Sequence, residues 1–365
     1  STLWYHSHVH GRTAEQVYAG LAGMIFIDDP DGQKEELPSN YGVDDLPVIV
    51  QDKAFDEDAS LIYVKRGPSL MHGFRANLIV VNGAIRPAAT VPAGLTRLRI
   101  LNASNARIYH FRFEDDRVFH QIASDGGLLP APIAKTALSL APAERAEILV
   151  DFANSQSVRL LSAPDLNDPM GGGMMGRMMG RMMGSQVGSP EAVNRFDEFE
   201  VLSFEPDSGR ISTINDVPST FSSVHFLDFG EPVRRRQFQL DMHAGGGGMM
   251  MGGGTDIMGI NGRSYDMGRI DEKIQIGETE IWEVFADEMA HPFHIHGTSF
   301  QVLSHNGNKL AFNEIGLKDV FLVNGQAELL VRFTKPATSQ APYMFHCHIL
   351  EHEDAGMMGQ FTVGE

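Results

Sequence analysis

The sequence predicts an all-β protein made of tandem Greek-key β-sandwiches, and three observations carry the prediction. Short β-branched runs recur along the chain, among them Pro47-Val48-Ile49-Val50, Leu78-Ile79-Val80-Val81, Leu98-Arg99-Ile100-Leu101 and Glu147-Ile148-Leu149-Val150. Gly, Pro, Asn and Asp punctuate them, the pattern of short antiparallel strands joined by turns. A weak internal repeat then doubles the unit. Asn82-Gly83 leads through Leu98-Arg99-Ile100-Leu101 to His110-Phe111-Arg112-Phe113, and Asn261-Gly262 leads through Ile281-Trp282-Glu283-Val284 to His294-Ile295-His296.

In chain order, residues 1–40 open with Trp4-Tyr5-His6-Ser7-His8 and reach the apolar strand Met24-Ile25-Phe26-Ile27. A piece of this size is near the lower limit for burying its own core and should depend on packing elsewhere. Residues 41–205 form the first full sandwich, residues 206–232 a Ser-, Pro-, Asp- and Gly-rich linker, and residues 233–365 the second full sandwich. In the first copy of the repeat His110 reads as structural, and so does His120 nearby. Two methionine tracts interrupt the sandwiches, one at 170–184 with seven methionines and one at 242–258 with five. Their interleaved glycines cost about 1–2 kcal/mol each to order, so the tracts read as loops rather than core.

Composition narrows the function. A chain of 365 residues has room for two or three domains, and 42% hydrophobic residues suffice for their cores. No run of eighteen apolar residues is present, so no membrane span is expected. A formal charge of −18 argues against nucleic acid as a partner and favours small cations. One cysteine excludes an internal disulfide and leaves the compartment open.

That cysteine sits in His346-Cys347-His348, with His352 and Met357 five and ten residues after it. Successive side chains of a strand point to opposite faces, so His346 and His348 should face one way and Cys347 the other. One thiolate and its two neighbours would then serve separate centres. A thiolate, imidazoles and a weak axial thioether make up a blue copper site. The missing imidazole is supplied by His291-Pro292-Phe293-His294-Ile295-His296, in which His291 has the opposite parity to His294 and His296. His6 and His8 share parity as well. A lone histidine is usually structural, but nine of the 15 histidines here fall in three short clusters.

The motifs HPFHIHG, HCHILEHEDAGMM and WYHSHVHG resemble those of the multicopper oxidases, and the likeness runs over nearly the whole chain. It implies three cupredoxin domains, with residues 1–40 the remnant of an incomplete first one, and four coppers in a complete protein. By the same resemblance His291, Cys347, His352 and Met357 hold the type 1 copper, and His294 the type 2 copper. His6, His8, His296, His346 and His348 hold the type 3 pair. The family uses four H-x-H pairs and this sequence has three, so the cluster is expected to be incomplete without a preceding segment.

Within the family the chain is most similar to the bacterial copper efflux oxidases. That likeness implies O2 as acceptor, Cu(I) or a small phenolic compound as donor, a role in copper tolerance, a periplasmic or secreted location and a monomer. It matches Asp287 and Met289 to the cuprous substrate site and Glu353 to proton supply at the cluster. Thioethers are soft donors selective for Cu(I), which makes Met249, Met250 and Met251 further candidates. A phenol-oxidising laccase, a copper store and a copper-free scaffold like the cell-division relatives of the fold are the competing readings.

Overall fold

The computed structural model describes residues 1–27, 36–65, 67–165, 193, 197–221, 229–243 and 258–364. It forms two compact units. The first comprises Ser1–Ser7, Glu15–Val64 and Phe74–Val224, the second His8–Ala14, Lys65–Gly73 and His225–Glu365. The tract at 170–184 and Met249, Met250 and Met251 lie outside the described residues. Met242 and Met258, the ends of the second tract, are buried and therefore belong to the core rather than to a donor loop.

In the first unit two sheets enclose the core. One runs in the order Gly127–Lys135, Phe119–Ser124, Arg145–Asp151, Leu95–Asn102, Asp45–Lys53, Leu78–Val81 and Ala84–Ile85; the other runs Ala137–Leu140, Tyr109–Phe113, Val158–Ala163, Phe199–Asp207 and Ala88–Pro92. Alternate residues point inward, so Leu98 and Ile100 meet Ile148, Phe111, Phe113 and Phe152 in one buried cluster. The rings of Phe152 and Phe204 lie 5.1 Å apart. Losing one such side chain costs about 3–5 kcal/mol. Among the described residues, strand Thr2–His6 pairs with Ala22–Phe26 alone. Thr2 Oγ1 donates to Glu147 Oε1 at 2.6 Å and accepts from Arg99 Nη1 at 3.0 Å, which ties this ribbon to the first sandwich.

The second unit is organised on one strand, Thr279–Ile295. It pairs with Arg234–Asp241 in parallel and with Val320–Arg332 and Tyr343–Cys347 in antiparallel fashion. Trp282 lies at the centre, with Phe238 at 4.5 Å and Phe361 at 5.6 Å between ring centroids. Where the first unit breaks between Leu95–Asn102 and Tyr109–Phe113, this strand continues, interrupted only by a bulge between Ala286 and His291. The all-β fold is the expected one, and the two Asn-Gly turns of the repeat share one backbone conformation. Asn82 and Gly83 have φ of 50° and 84°, Asn261 and Gly262 of 54° and 71°, the paired left-handed values of a tight hairpin turn. Among the described residues no helix is long and apolar enough to cross a membrane.

Candidate metal centre

Strand pairing brings the distant motifs together in the second unit. Cys347 lies opposite Phe293 and His346 opposite His294. The strand Tyr343–Cys347 ends at the cysteine, and helix Leu350–Asp354 follows at once, carrying His352. His348 is therefore placed by a bend rather than by strand alternation; its N–H donates to the Pro292 carbonyl at 2.6 Å.

His291, Cys347 and His352 converge, all fully buried. His291 Nδ1 and His352 Nδ1 lie 3.4 and 3.7 Å from Cys347 Sγ and 3.3 Å from each other. A triangle with those sides has a point about 2.0 Å from every corner, within a few tenths of an ångström of metal–nitrogen and metal–thiolate bonds. His352 Nε2 donates to the Met71 carbonyl at 3.2 Å, which leaves Nδ1 with the lone pair aimed at that point. Burial holds His291 down at a pKa of about 3 and pushes the Cys347 thiol up. Imidazole is thus neutral here, the form that binds metals, and a bound cation would be needed to keep the sulfur as thiolate. The Ile349 N–H, 3.3 Å from Sγ, would support that charge. Met357 is buried beside the group, its carbonyl accepting from Cys347 N at 3.1 Å. Such a donor set suits copper.

His294, His296 and His346 form a second group. His346 Nδ1 contacts the Cys347 carbonyl at 3.0 Å, and His294 Nδ1 contacts that of Asp319 at 2.7 Å, so both present Nε2 as the donor. His296 Nε2 lies 3.2 Å from His346 Nε2. The His348 ring is 5.3 Å from that of His346, and the His8 ring is 5.3 Å from that of His296. His8 stands outside any strand, since Thr2–His6 has already ended. His6 closes that strand in the first unit, where its Nδ1 contacts the Ser7 carbonyl at 3.0 Å.

Glu353 is buried, with Oε2 3.3 Å from His346 Nδ1 and Oε1 3.8 Å from His8 Nδ1. Burial, then the charge of Asp354, raises its carboxyl to about 8. Asp287 and Met289 lie on the bulge before His291, Asp287 exposed and accepting from Gln239 Nε2 at 3.2 Å. His10 packs against Tyr265, with ring centroids 5.2 Å apart. His110 bonds Ser139 Oγ at 2.7 Å in the first sandwich. Sequence reasoning overlooked three contributors: Asp354, Lys65 and the Met71 carbonyl. Only Asp354, next to Glu353, stood in a motif that pointed to it.

One group of nitrogen and sulfur donors and one group of imidazoles alone, both on a β-sandwich, are donor sets of the kind a copper protein of the cupredoxin class uses. A profile for multicopper oxidases matches residues 235–365. The cell division protein FtsP of Escherichia coli is 37% identical over 366 residues, covering 100% of this chain and 70% of its own length. Among solved structures, the laccase-like multi-copper oxidase CueO of Ochrobactrum sp. is 36% identical with a TM-score of 0.83, covering 100% of this chain and 76% of that one. McoA multicopper oxidase of Aquifex aeolicus is 32% identical with a TM-score of 0.79, again over 100% and 76%. The chain belongs to the multicopper oxidase family.

Proposed function

We propose that the protein is a copper-dependent oxidase that couples oxidation of a small donor, Cu(I) or a phenolic compound, to reduction of O2 to water. The observation that carries this reading is the buried meeting of His291, Cys347 and His352 around one point. Copper would supply one-electron chemistry there and oxygen reduction at the second group. In this reading His291, Cys347, His352 and Met357 hold type 1 copper, His294 holds type 2, and His6, His8, His296, His346 and His348 hold the type 3 pair. Four ions would fill the complete protein.

The chain's own residues have separable tasks. Cys347 and His346 are consecutive, so the main chain joins the two groups covalently. Glu353, raised to about 8, keeps a proton near neutral pH within 3.3 Å of His346 Nδ1 and is suited to deliver it. Asp287 is exposed two residues before Met289 and four before His291, where an acid and a thioether would meet an approaching cation. Met249, Met250 and Met251 are proposed as further cuprous donors. The name of the Ochrobactrum relative, an oxidase acting on lignin model compounds, supports the phenolic donor. Copper tolerance, a periplasmic or secreted location and a monomeric state complete the proposal.

A second reading is favoured by the relatives named for cell division: a protein that acts in division through its surface. Copper loading separates the two. Blue absorption and oxygen uptake with Cu(I) or a phenol support the oxidase. Failure to bind copper, with normal folding, would leave the division role.

A further inference from the structure

Residues Lys65–Gly73 belong to the second unit although the sequence on either side belongs to the first. They touch the helix Leu350–Asp354 at two places. Lys65 Nζ lies 2.7 Å from Asp354 Oδ2 and 3.1 Å from the Gly11 carbonyl. The Met71 carbonyl takes the Nε2 hydrogen of His352. The Asp354 side chain is 1% exposed, and its two oxygens also accept the N–H groups of Thr13 and Ala14 at 3.0 and 3.2 Å. Lys65 and Asp354 therefore grip both the middle and the end of the segment that begins with His8. These bonds tie the segment to the helix that carries His352 and Glu353.

We propose that Lys65 is a positioning residue for the second metal group: through Asp354 and the Gly11 carbonyl it sets where His8 stands. Asp354 directly follows Glu353, whose carboxyl lies 3.3 Å from His346 Nδ1 and 3.8 Å from His8 Nδ1, so one turn of helix presents the group that faces both rings and the anchor for the His8 segment. The first group is held by strand pairing and by the Met71 carbonyl, six residues beyond Lys65, so the loss of Lys65 should fall on the second group. An ion pair serving only stability would affect both groups together.

The inference rests on His8 being a copper ligand. In the full-length, copper-loaded protein, Lys65→Met should weaken copper retention at the second group by about 10- to 100-fold, the usual effect of removing a group that orients a ligand. The near-ultraviolet band of the coupled copper pair should fall while the blue thiolate band stays. Lys65→Arg, which keeps the charge and the donors, should restore the near-ultraviolet band. If Lys65→Met does not accumulate as folded protein, Lys65→Gln replaces it and must show the same selective loss. Equal loss at both groups, no loss at either, or no rescue by arginine overturns the proposal. If the unaltered protein itself shows no near-ultraviolet band, the assignment of the second group fails instead.

Discussion

In the first sandwich three neighbouring strands carry Asp45, Arg99 and Glu147; in the second the corresponding positions carry Arg235, Glu283 and Glu328. The correspondence is anchored by the two Asn-Gly turns. Asn82 Oδ1 accepts from Ile49 N at 2.9 Å and its Nδ2 donates to the Pro47 carbonyl at 2.8 Å, while Asn261 makes the same bonds to Gln239 and Gln237 at 2.7 and 2.9 Å. From there the strand registers match residue for residue. The cation sits on the central strand in one unit and on its parallel neighbour in the other. Arg99 forms a buried two-pronged pair with Asp45, both contacts at 2.7 Å, and reaches Glu147 at 3.2 Å. Arg235, 54% exposed, bonds Glu283 at 2.5 Å and Glu328 at 2.7 Å. One position in the architecture thus serves as a core lock in one copy and as a solvated surface pair in the other, and among the described residues the grouped metal donors lie in the second copy.

Mutations can break this comparison in order of expected effect. Cys347→Ser should abolish blue colour and oxidase activity while far-ultraviolet circular dichroism stays unchanged, since it removes only a donor; retained colour would refute the first group. Glu147→Gln should lose about 3–5 kcal/mol in denaturant melts, because it removes the carboxylate that faces Arg97 and leaves Arg99 with Asp45 alone. The advantage of the native carboxylate should also depend on pH. Burial alone would raise the Glu147 carboxyl, but Arg97 and Arg99 outweigh it and hold it at about 2, below the ordinary 4.5. A carboxyl depressed in the fold stabilises fully above its unfolded value and loses that contribution as pH falls toward the folded one. The gap between wild type and Glu147→Gln should therefore be constant above about 4.5 and narrow between 4.5 and 2.

Smaller effects sharpen the likeness rather than the difference. Asn82→Ala and Asn261→Ala should each cost about 1–3 kcal/mol by leaving strand groups unpaired, and by similar amounts, since the bonds are the same. Glu328→Gln, the counterpart of Glu147→Gln, should cost only about 0–1 kcal/mol, as exposed pairs do. A loss as large as at Glu147 would contradict the contrast in solvation.

The fold class was legible because alternation and turn residues are local signals, and the duplicated Asn-Gly turns could be read directly. His291, Cys347 and His352 could be grouped because each lies in a short motif. Alternation explains His346 and Cys347 but not His348 or His8, which stand beyond the ends of their strands. The support for the site was illegible for another reason. Lys65 meets Asp354 across 289 positions and Met71 meets His352 across 281, and no composition or periodicity marks a lysine or a main-chain carbonyl for such a partner. The placement of Arg99 and Arg235 depends on cross-strand register, which a single sequence does not print.

The bulge before His291 limits which changes this strand can absorb. Ala286 faces Gly325 and His291 faces Val323, so five steps on one strand match two on the other. An odd surplus restores the same side of the sheet to residues that plain alternation would have sent to opposite sides. A change of residue type among Asp287 to Ala290 would leave the sheet intact, whereas removing one residue would turn His291 and His294 toward the opposite faces of their strand.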